Sequence, residues 1–212
     1  MIHLYTWSTP NGRKISIALE EMAIPYQVHP VNLSEGQQHD PEFLKISPHN
    51  AIPAIFDDET GFNLVESAAI AIYLAEKSKK LLPTEEKARW ETIQWLMWQA
   101  AAQGPMLGQA HHFLKFNPGK SPYAEERFHT QAKRIYKELN NRLEGRDFVA
   151  GTDISIADTA IWPWISRYEF HQIDMTEYGN IHRWYLQLAE RAAFQAGYKI
   201  PDASQDIPIP KL

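Results

Sequence analysis

Leu4-Tyr5-Thr6-Trp7-Ser8-Thr9-Pro10-Asn11-Gly12, residues 4–12, runs from a strand-like segment through a short polar loop into a helical one. The strand is expected over 3–7, and the helix continues through 14–22. Pro10 fits the first helical position, where a missing N–H costs nothing, with Ser8 or Thr9 as the cap. The alternation continues outward, with β-type runs at 26–31, 54–56 and 63–65 and a helical run at 68–77. Short strands interleaved with helices imply an α/β unit. Pro30 falls inside the second strand and cannot donate to a ladder, which puts that strand at a sheet edge. Residues 77–87 (KSKKLLPTEEK) are polar, contain a proline and read as an interdomain linker.

Beyond the linker the periodicity is helical. Trp90, Ile93, Met97, Ala100 and Ala101 recur at three- and four-residue steps. Gly104-Pro105 is expected to kink or break that helix, which resumes with Met106, Leu107, Ala110, Phe113 and Leu114. Ser121-Pro122 starts the next, with the stripe Phe128, Ala132, Ile135, Leu139, Leu143 and a stop at Gly145. Ser155-Ile156-Ala157-Asp158 has capping-box spacing, with Asp in place of Glu. Ile181, Trp184, Tyr185 and Leu188 mark a last amphipathic helix, and the tail 200–212, with three prolines, is expected to lie extended on the surface. The fold expected is α/β plus all-α: an N-terminal domain over 1–78 and a helical domain over 87–212.

The composition narrows the function. The chain has 212 residues, 44% of them hydrophobic and 22% charged, enough for a sizeable core in one or two domains. A net charge of −5 without a basic stripe argues against nucleic acid as a partner. The longest apolar run, 68–75, is too short to span a membrane. No basic flank and apolar core open the sequence, so no signal peptide is expected and the cytoplasm is the expected location. Cysteine is absent, which excludes disulfide scaffolds, Cys-based metal sites and cysteine nucleophiles. Any thiol chemistry must therefore use a thiol that the protein binds. His111-His112 does not read as a metal site, since adjacent histidines on a helix diverge and no spaced third ligand follows; one solvated and one packed histidine is the alternative. No metal is expected.

Three element boundaries carry candidate chemistry. The start of the first helix presents unpaired N–H groups and a positive dipole end. With Ser8, Thr9 and Asn11 it can donate to a thiolate and lower a free thiol from about 8.5 toward neutrality. The same residues also make a good turn and cap, and Tyr5, within the strand, reads as packing. In 47–55 (SPHNAIPAI) a cis Ile52–Pro53 bond would turn the Ile52 N–H and C=O outward for an extended peptide, although a trans turn is the commoner geometry. Glu66-Ser67 ends a strand and opens a helix: Ser67 is a natural cap that can also take a ligand carboxylate, and Glu66 a ligand ammonium. Together they offer what one zwitterionic thiol peptide needs.

The segments STPNGRKISIALEE, SPHNAIPAIFD, ESAAIAIYLAEK and SIADTAIWPW resemble, in this order, those of glutathione transferases. TPNG, GPMLGQAHHF and PYAEERF are similar to the nu class, which includes glutathione-dependent disulfide-bond reductases. The resemblance implies a thioredoxin-like N-terminal domain, an all-helical C-terminal domain and a homodimer. It implies Thr9 and Asn11 at the glutathione sulfur, Ile52 at the cysteinyl backbone, Glu66 and Ser67 at the γ-glutamyl end and Gln38 on the other side. Arg127 would reach across the dimer to the partner subunit's ligand. Met106, His112, Phe113 and Trp164 would border a second-substrate cleft, while Ser155 and Asp158 serve folding. Relatives often carry Lys where this chain has Ala51, which removes a contact to the glycyl carboxylate. Thr159 replaces an apolar staple partner for Ile154.

The resulting expectation is reduction of small-molecule or peptide disulfides, or exchange of glutathione disulfide, with glutathione as co-substrate. Conjugation of glutathione to electrophiles is the nearest alternative. A non-catalytic binding or regulatory protein of the same fold is the alternative from another class.

Overall fold

The computed structural model describes residues 1–210; Lys211 and Leu212, the end of the expected tail, lie outside them. In chain order the elements are β1 (Ile2–Thr6), α1 (Pro10–Met22), β2 (Tyr26–Pro30), α2 (Pro41–Ile46), β3 (Ala54–Asp57), β4 (Phe62–Val65), α3 (Ser67–Ser78), α4 (Glu86–Trp98), α5 (Gly104–Ala110), α6 (Pro122–Arg142), α7 (Ile156–Ile165), α8 (Gly179–Ala189) and α9 (Ala192–Tyr198). They form two compact units. One comprises Met1–Leu82 and Glu190–Ile207; the other comprises Pro83–Ala189 and the described residues from Pro208.

The first unit is built on a four-stranded sheet of order β2-β1-β3-β4. β1 runs parallel to β2 (Leu4 opposite Val28) and antiparallel to β3 (Leu4 opposite Ile55). β3 and β4 pair antiparallel, with Ala54 opposite Val65. This is the α/β unit expected from the alternation of elements, in the thioredoxin-like arrangement that the family resemblance implies, and β2, with Pro30, is an edge strand. In β1 the period-two pattern buries Ile2, Leu4 and Thr6 and leaves His3 and Tyr5 half-buried. Lys77, where the polar stretch read as a linker begins, meets the buried Asp57 carboxylate at 2.9 Å.

Residues 190–207, placed by sequence in the helical domain, pack here with the first unit. A further helix, α9, follows the one expected to be last, and its packing on α1 is specific. Ser16 Oγ donates to Gly197 O at 2.7 Å, Arg13 Nε donates to Tyr198 O at 3.0 Å, and the Arg13 guanidinium lies 3.6 Å from the Tyr198 ring centroid. A Cβ on Gly197 would lie 2.6 Å from the Ile17 backbone, so only glycine permits this approach. Seven residues without a strong apolar period gave the sequence pattern little to detect.

In the second unit Gly104-Pro105 does not break the helix. Gln99–Gln103 forms a π-helical turn between α4 and α5, and the wider turn accommodates a residue that has no N–H to donate. A second π segment, His111–Phe116, follows α5. α6 buries Ala132, Ile135 and Leu139 as its stripe predicts. The Ser155–Asp158 capping box is present, with Asp158 buried. That carboxylate accepts from the backbone N–H groups of Val149 (2.9 Å) and Ser155 (3.0 Å) and from Trp184 Nε1 (2.9 Å). Thr159 Oγ1 donates to Ile156 O at 3.2 Å, so the residue that does not complete a staple still bonds within the first turn.

Gly197→Ala should destabilise the protein by about 1–3 kcal/mol through overpacking, seen as a lower urea midpoint. Gly179→Ala is the control, because its Cβ meets nothing within 4 Å. Equal midpoints for the two variants would contradict the close α1–α9 packing.

Candidate functional site

The turn from β1 into α1 is tight. Thr9 N–H donates to Trp7 O at 2.6 Å, and a Cβ on Gly12 would lie 2.3 Å from that same oxygen. Glycine is therefore required where α1 begins. Of the two candidate caps the structure uses Thr9: its Oγ1 accepts from Gly12 N–H at 3.1 Å, and Pro10 follows in the first helical turn. With a lone pair engaged inward, the Thr9 hydroxyl hydrogen is available as a donor.

A second helix starts at the end of β4. Ser67 is not the N-cap that the sequence suggests. Glu66 occupies that position at φ +69°, and Ser67 is already the first helical residue. A non-glycine residue in this region is strained and is retained where surrounding contacts fix it. The Ser67 hydroxyl accepts from Lys14 Nζ at 3.1 Å, so α1 and α3 are tied together beside their N-termini. Lys14 is only 4% exposed. Burial lowers its ammonium to about 7, with the Glu66 carboxylate opposing that shift.

The third segment precedes β3. Ser47 is fully buried, donates through Oγ to Ala51 O at 2.8 Å and accepts from Ala51 N–H at 3.3 Å. It braces the loop that ends in Ile52–Pro53, whose peptide bond is cis.

These segments surround one cleft of about 160 Å³ lined by Asn11, Ser47, His49, Ala51, Ile52, Pro53, Val65, Glu66 and Ser67. Four predicted residues from three separate segments — Asn11, Ile52, Glu66 and Ser67 — thus meet in one hollow. Thr9 stands two residues before Asn11 and does not line it. Gln38 lies in the short 3-10 turn Gln37–His39, also outside the lining, with its Oε1 buried and without a hydrogen-bond partner. Tyr5 packs as expected, stacked on His29 at 4.6 Å between ring centroids. A larger hollow of about 500 Å³ over Tyr5, His29 and Phe43 holds none of the predicted ligand-binding residues.

The remaining predicted residues lie in the second unit. Arg127 is exposed on α6. Met106 and Phe113 are half-buried, and the Phe113 ring stacks on Phe128 at 5.4 Å. His112 is exposed, whereas His111 is buried, 4.7 Å from His171 and 5.3 Å from Trp164 between ring centroids. Burial, and then the Arg167 charge, lower His111 to about 4. Trp164 is 7% exposed and lies against Gly104 and Gly108, more enclosed than a substrate platform. Among the described residues no group of three or more His, Cys, Asp or Glu could hold a metal ion, and no helix is long and apolar enough to cross a membrane.

Sequence reasoning missed Lys14, Ser47 and His49. A lysine in RKISIAL reads as a solvent-facing residue, and nothing local marks it as buried. Ser47 carried a weak sign, because a serine before a proline turn often bonds back to nearby backbone.

Comparison with known proteins covers both units. The family model for the glutathione S-transferase N-terminal domain matches residues 1–76, and that for the C-terminal domain matches 104–192. The disulfide-bond oxidoreductase YfcG of Escherichia coli (strain K12) is 44% identical over 198 residues, or 91% of this chain and 92% of that protein. A solved glutathione transferase family member from Pseudomonas fluorescens pf-5, with two glutathione bound, superposes with a TM-score of 0.90 at 40% identity, covering 94% of this chain and 93% of that one. A glutathione transferase from Pseudomonas putida, with one glutathione disulfide bound per subunit, gives 0.89 at 38% identity, covering 94% and 91%.

Ser47→Ala removes both bonds that brace the loop. The Ala51 amide should exchange with solvent about tenfold faster or more, the loss of roughly 1–2 kcal/mol of local protection, as read by hydrogen exchange. Unchanged protection at Ala51 would show that the loop is held by something else.

Proposed function

The chain belongs to the glutathione transferase family, and from that premise we propose that it is a glutathione-dependent disulfide-bond reductase. The observation that carries this reading is the convergence of Asn11, Ile52, Glu66 and Ser67 on one cleft, in a chain 44% identical to a disulfide-bond oxidoreductase. Their chemistry matches the parts of glutathione. Glu66 takes the ammonium and Ser67 the carboxylate of the γ-glutamyl end. The Ile52 backbone pairs with the cysteinyl residue in the manner of an added strand, and Gln38, with an unpaired Oε1, approaches from the other side.

That pose directs the sulfur to the start of α1. There the Thr9 hydroxyl and the Asn11 side-chain amide donate to the thiolate, aided by the positive end of the helix. The ionised sulfur attacks one sulfur of a bound disulfide, forming a mixed disulfide with glutathione and releasing the other sulfur as a thiolate. A second glutathione thiolate attacks the mixed disulfide at the glutathione sulfur, giving glutathione disulfide and the second free thiol. Two glutathione molecules are oxidised and one disulfide is reduced. No cysteine of the chain takes part, in keeping with its count of zero. The protein contributes binding, alignment and thiolate stabilisation, on which exchange rates depend.

The second disulfide partner is assigned to the surface around Met106, His112 and Phe113, with Trp164 behind it. A homodimer of nu-class type completes the reading, with Arg127 directed at the partner subunit's ligand. In support of a dimer, Trp90 (61% exposed) and Met97 (41%) lie seven residues apart on one face of α4, an apolar stripe that association would cover. The cytoplasm, with its reduced glutathione pool, is the compartment in which this direction of exchange runs.

The test is turnover of a model disulfide by glutathione, beside conjugation of an aryl halide. Asn11→Ala and Thr9→Ala should each lower kcat/KM for disulfide reduction about tenfold, or roughly 1.4 kcal/mol. Thr9→Ala should also lose about 1 kcal/mol of stability as its cap is removed, while Thr9→Ser keeps both. Undiminished reduction in both alanine variants, or conjugation far exceeding reduction in the wild type, would overturn the proposal.

A further inference from the structure

The mechanism above leaves one buried charge without a task. Lys14 lies on the fully buried stretch of α1 and is 4% exposed, yet its neighbours at 15 and 17–19 are apolar. Burying an ammonium is costly unless its charge serves something. A methionine would fill the same space at lower cost. The Lys14 ammonium makes a 3.1 Å hydrogen bond to Ser67 Oγ, and Ser67 lines the cleft whereas Lys14 does not. The charge that acts on it is that of Glu66, the residue at positive φ directly before Ser67.

In its protonated form Lys14 can only donate, so Ser67 Oγ is then the acceptor in this pair and its own hydrogen points elsewhere. We infer that Lys14 is a positioning residue for the ligand's carboxylate. Its buried ammonium fixes the Ser67 hydroxyl as a donor into the cleft and sets a positive charge behind it, opposite the Glu66 carboxylate. The pair of unlike charges, one exposed and one buried, reads the zwitterionic α-amino-acid end of a γ-glutamyl thiol. Lys14 touches no substrate and takes no part in sulfur chemistry. Its effect is on which tripeptide is held and how tightly. The inference rests on the proposed glutathione reading and adds to it the buried residue that orients Ser67.

Calorimetric binding of two tripeptides to the full chain tests it. One is glutathione; the other is 4-aminobutyryl-cysteinyl-glycine, which lacks only the α-carboxylate of the γ-glutamyl residue. Wild-type protein should prefer glutathione by about tenfold or more, the usual value of a charge-assisted hydrogen bond. Lys14→Met should lose about tenfold in affinity for glutathione and less than about twofold for the analogue, so the preference collapses. In turnover the variant should show a raised KM for glutathione with kcat largely kept. Lys14→Gln, which retains a donor for Ser67 without the charge, is the second variant if Met does not fold, and should narrow the preference in the same direction. Equal losses for both tripeptides would assign Lys14 a merely structural role and overturn the inference. So would a wild type that binds both equally, with glutathione binding itself intact. A wild type that binds neither would instead remove the glutathione reading and the inference with it.

Discussion

The close approach of Gly12 to the Trp7 carbonyl is the constraint on which the rest of the candidate site depends. A side chain there would fall 2.3 Å from the oxygen, so the chain could not leave β1 and enter α1 within three residues. Because it can, Thr9 caps the helix, Pro10 occupies the first turn and Asn11 faces the cleft. Both helices that border the site begin directly after strands, α1 after β1 and α3 close behind β4. Each brings unpaired N–H groups to the same end of the sheet. The Lys14–Ser67 hydrogen bond joins those two starts across the α1–α3 packing.

An α/β domain of this kind holds a thiol chemistry that the chain itself lacks. Without cysteine, catalysis must come from how a bound sulfur is ionised and aimed. Neutral donors suit that task. In the proposed mechanism Thr9 and Asn11 stabilise a thiolate without pairing it to a full positive charge, which would lower its nucleophilicity along with its pKa. In the same reading Glu66 and Ser67, which line the cleft, and Lys14, hydrogen-bonded to Ser67 from outside it, match a zwitterion. Binding and activation are thus assigned to different residues, and the peptide backbone of the ligand connects them.

Much of this was legible in the sequence because it is local. Period-two and period-three patterns located the sheet and most helices. Pro30 placed β2 at an edge through its missing donor, and Ser155 with Asp158 announced a capping box that the structure contains. Four cleft residues could be named because turn and cap residues sit at element boundaries. What escaped was non-local or conformational. Gly104-Pro105 looked like a break, but the π turn Gln99–Gln103 absorbs it, and no residue type signals such a turn. Ser67 looked like a cap, but Glu66 takes up a positive φ and shifts the helix start by one residue. α9 owes its place to the absence of a side chain at Gly197, and Lys14 is buried with its hydrogen bond reaching Ser67 of α3; neither fact is written in neighbouring residues.

The central claim is that a bound glutathione sulfur is held ionised beside Thr9 and Asn11. It is tested most directly by titrating the thiol of glutathione in its complex with the protein, following thiolate absorbance against pH. The account predicts a bound thiol that ionises at least about one unit below the free value of about 8.5, and a return toward that value in Asn11→Ala. A bound thiol that titrates at or above the free value in the wild type would contradict it.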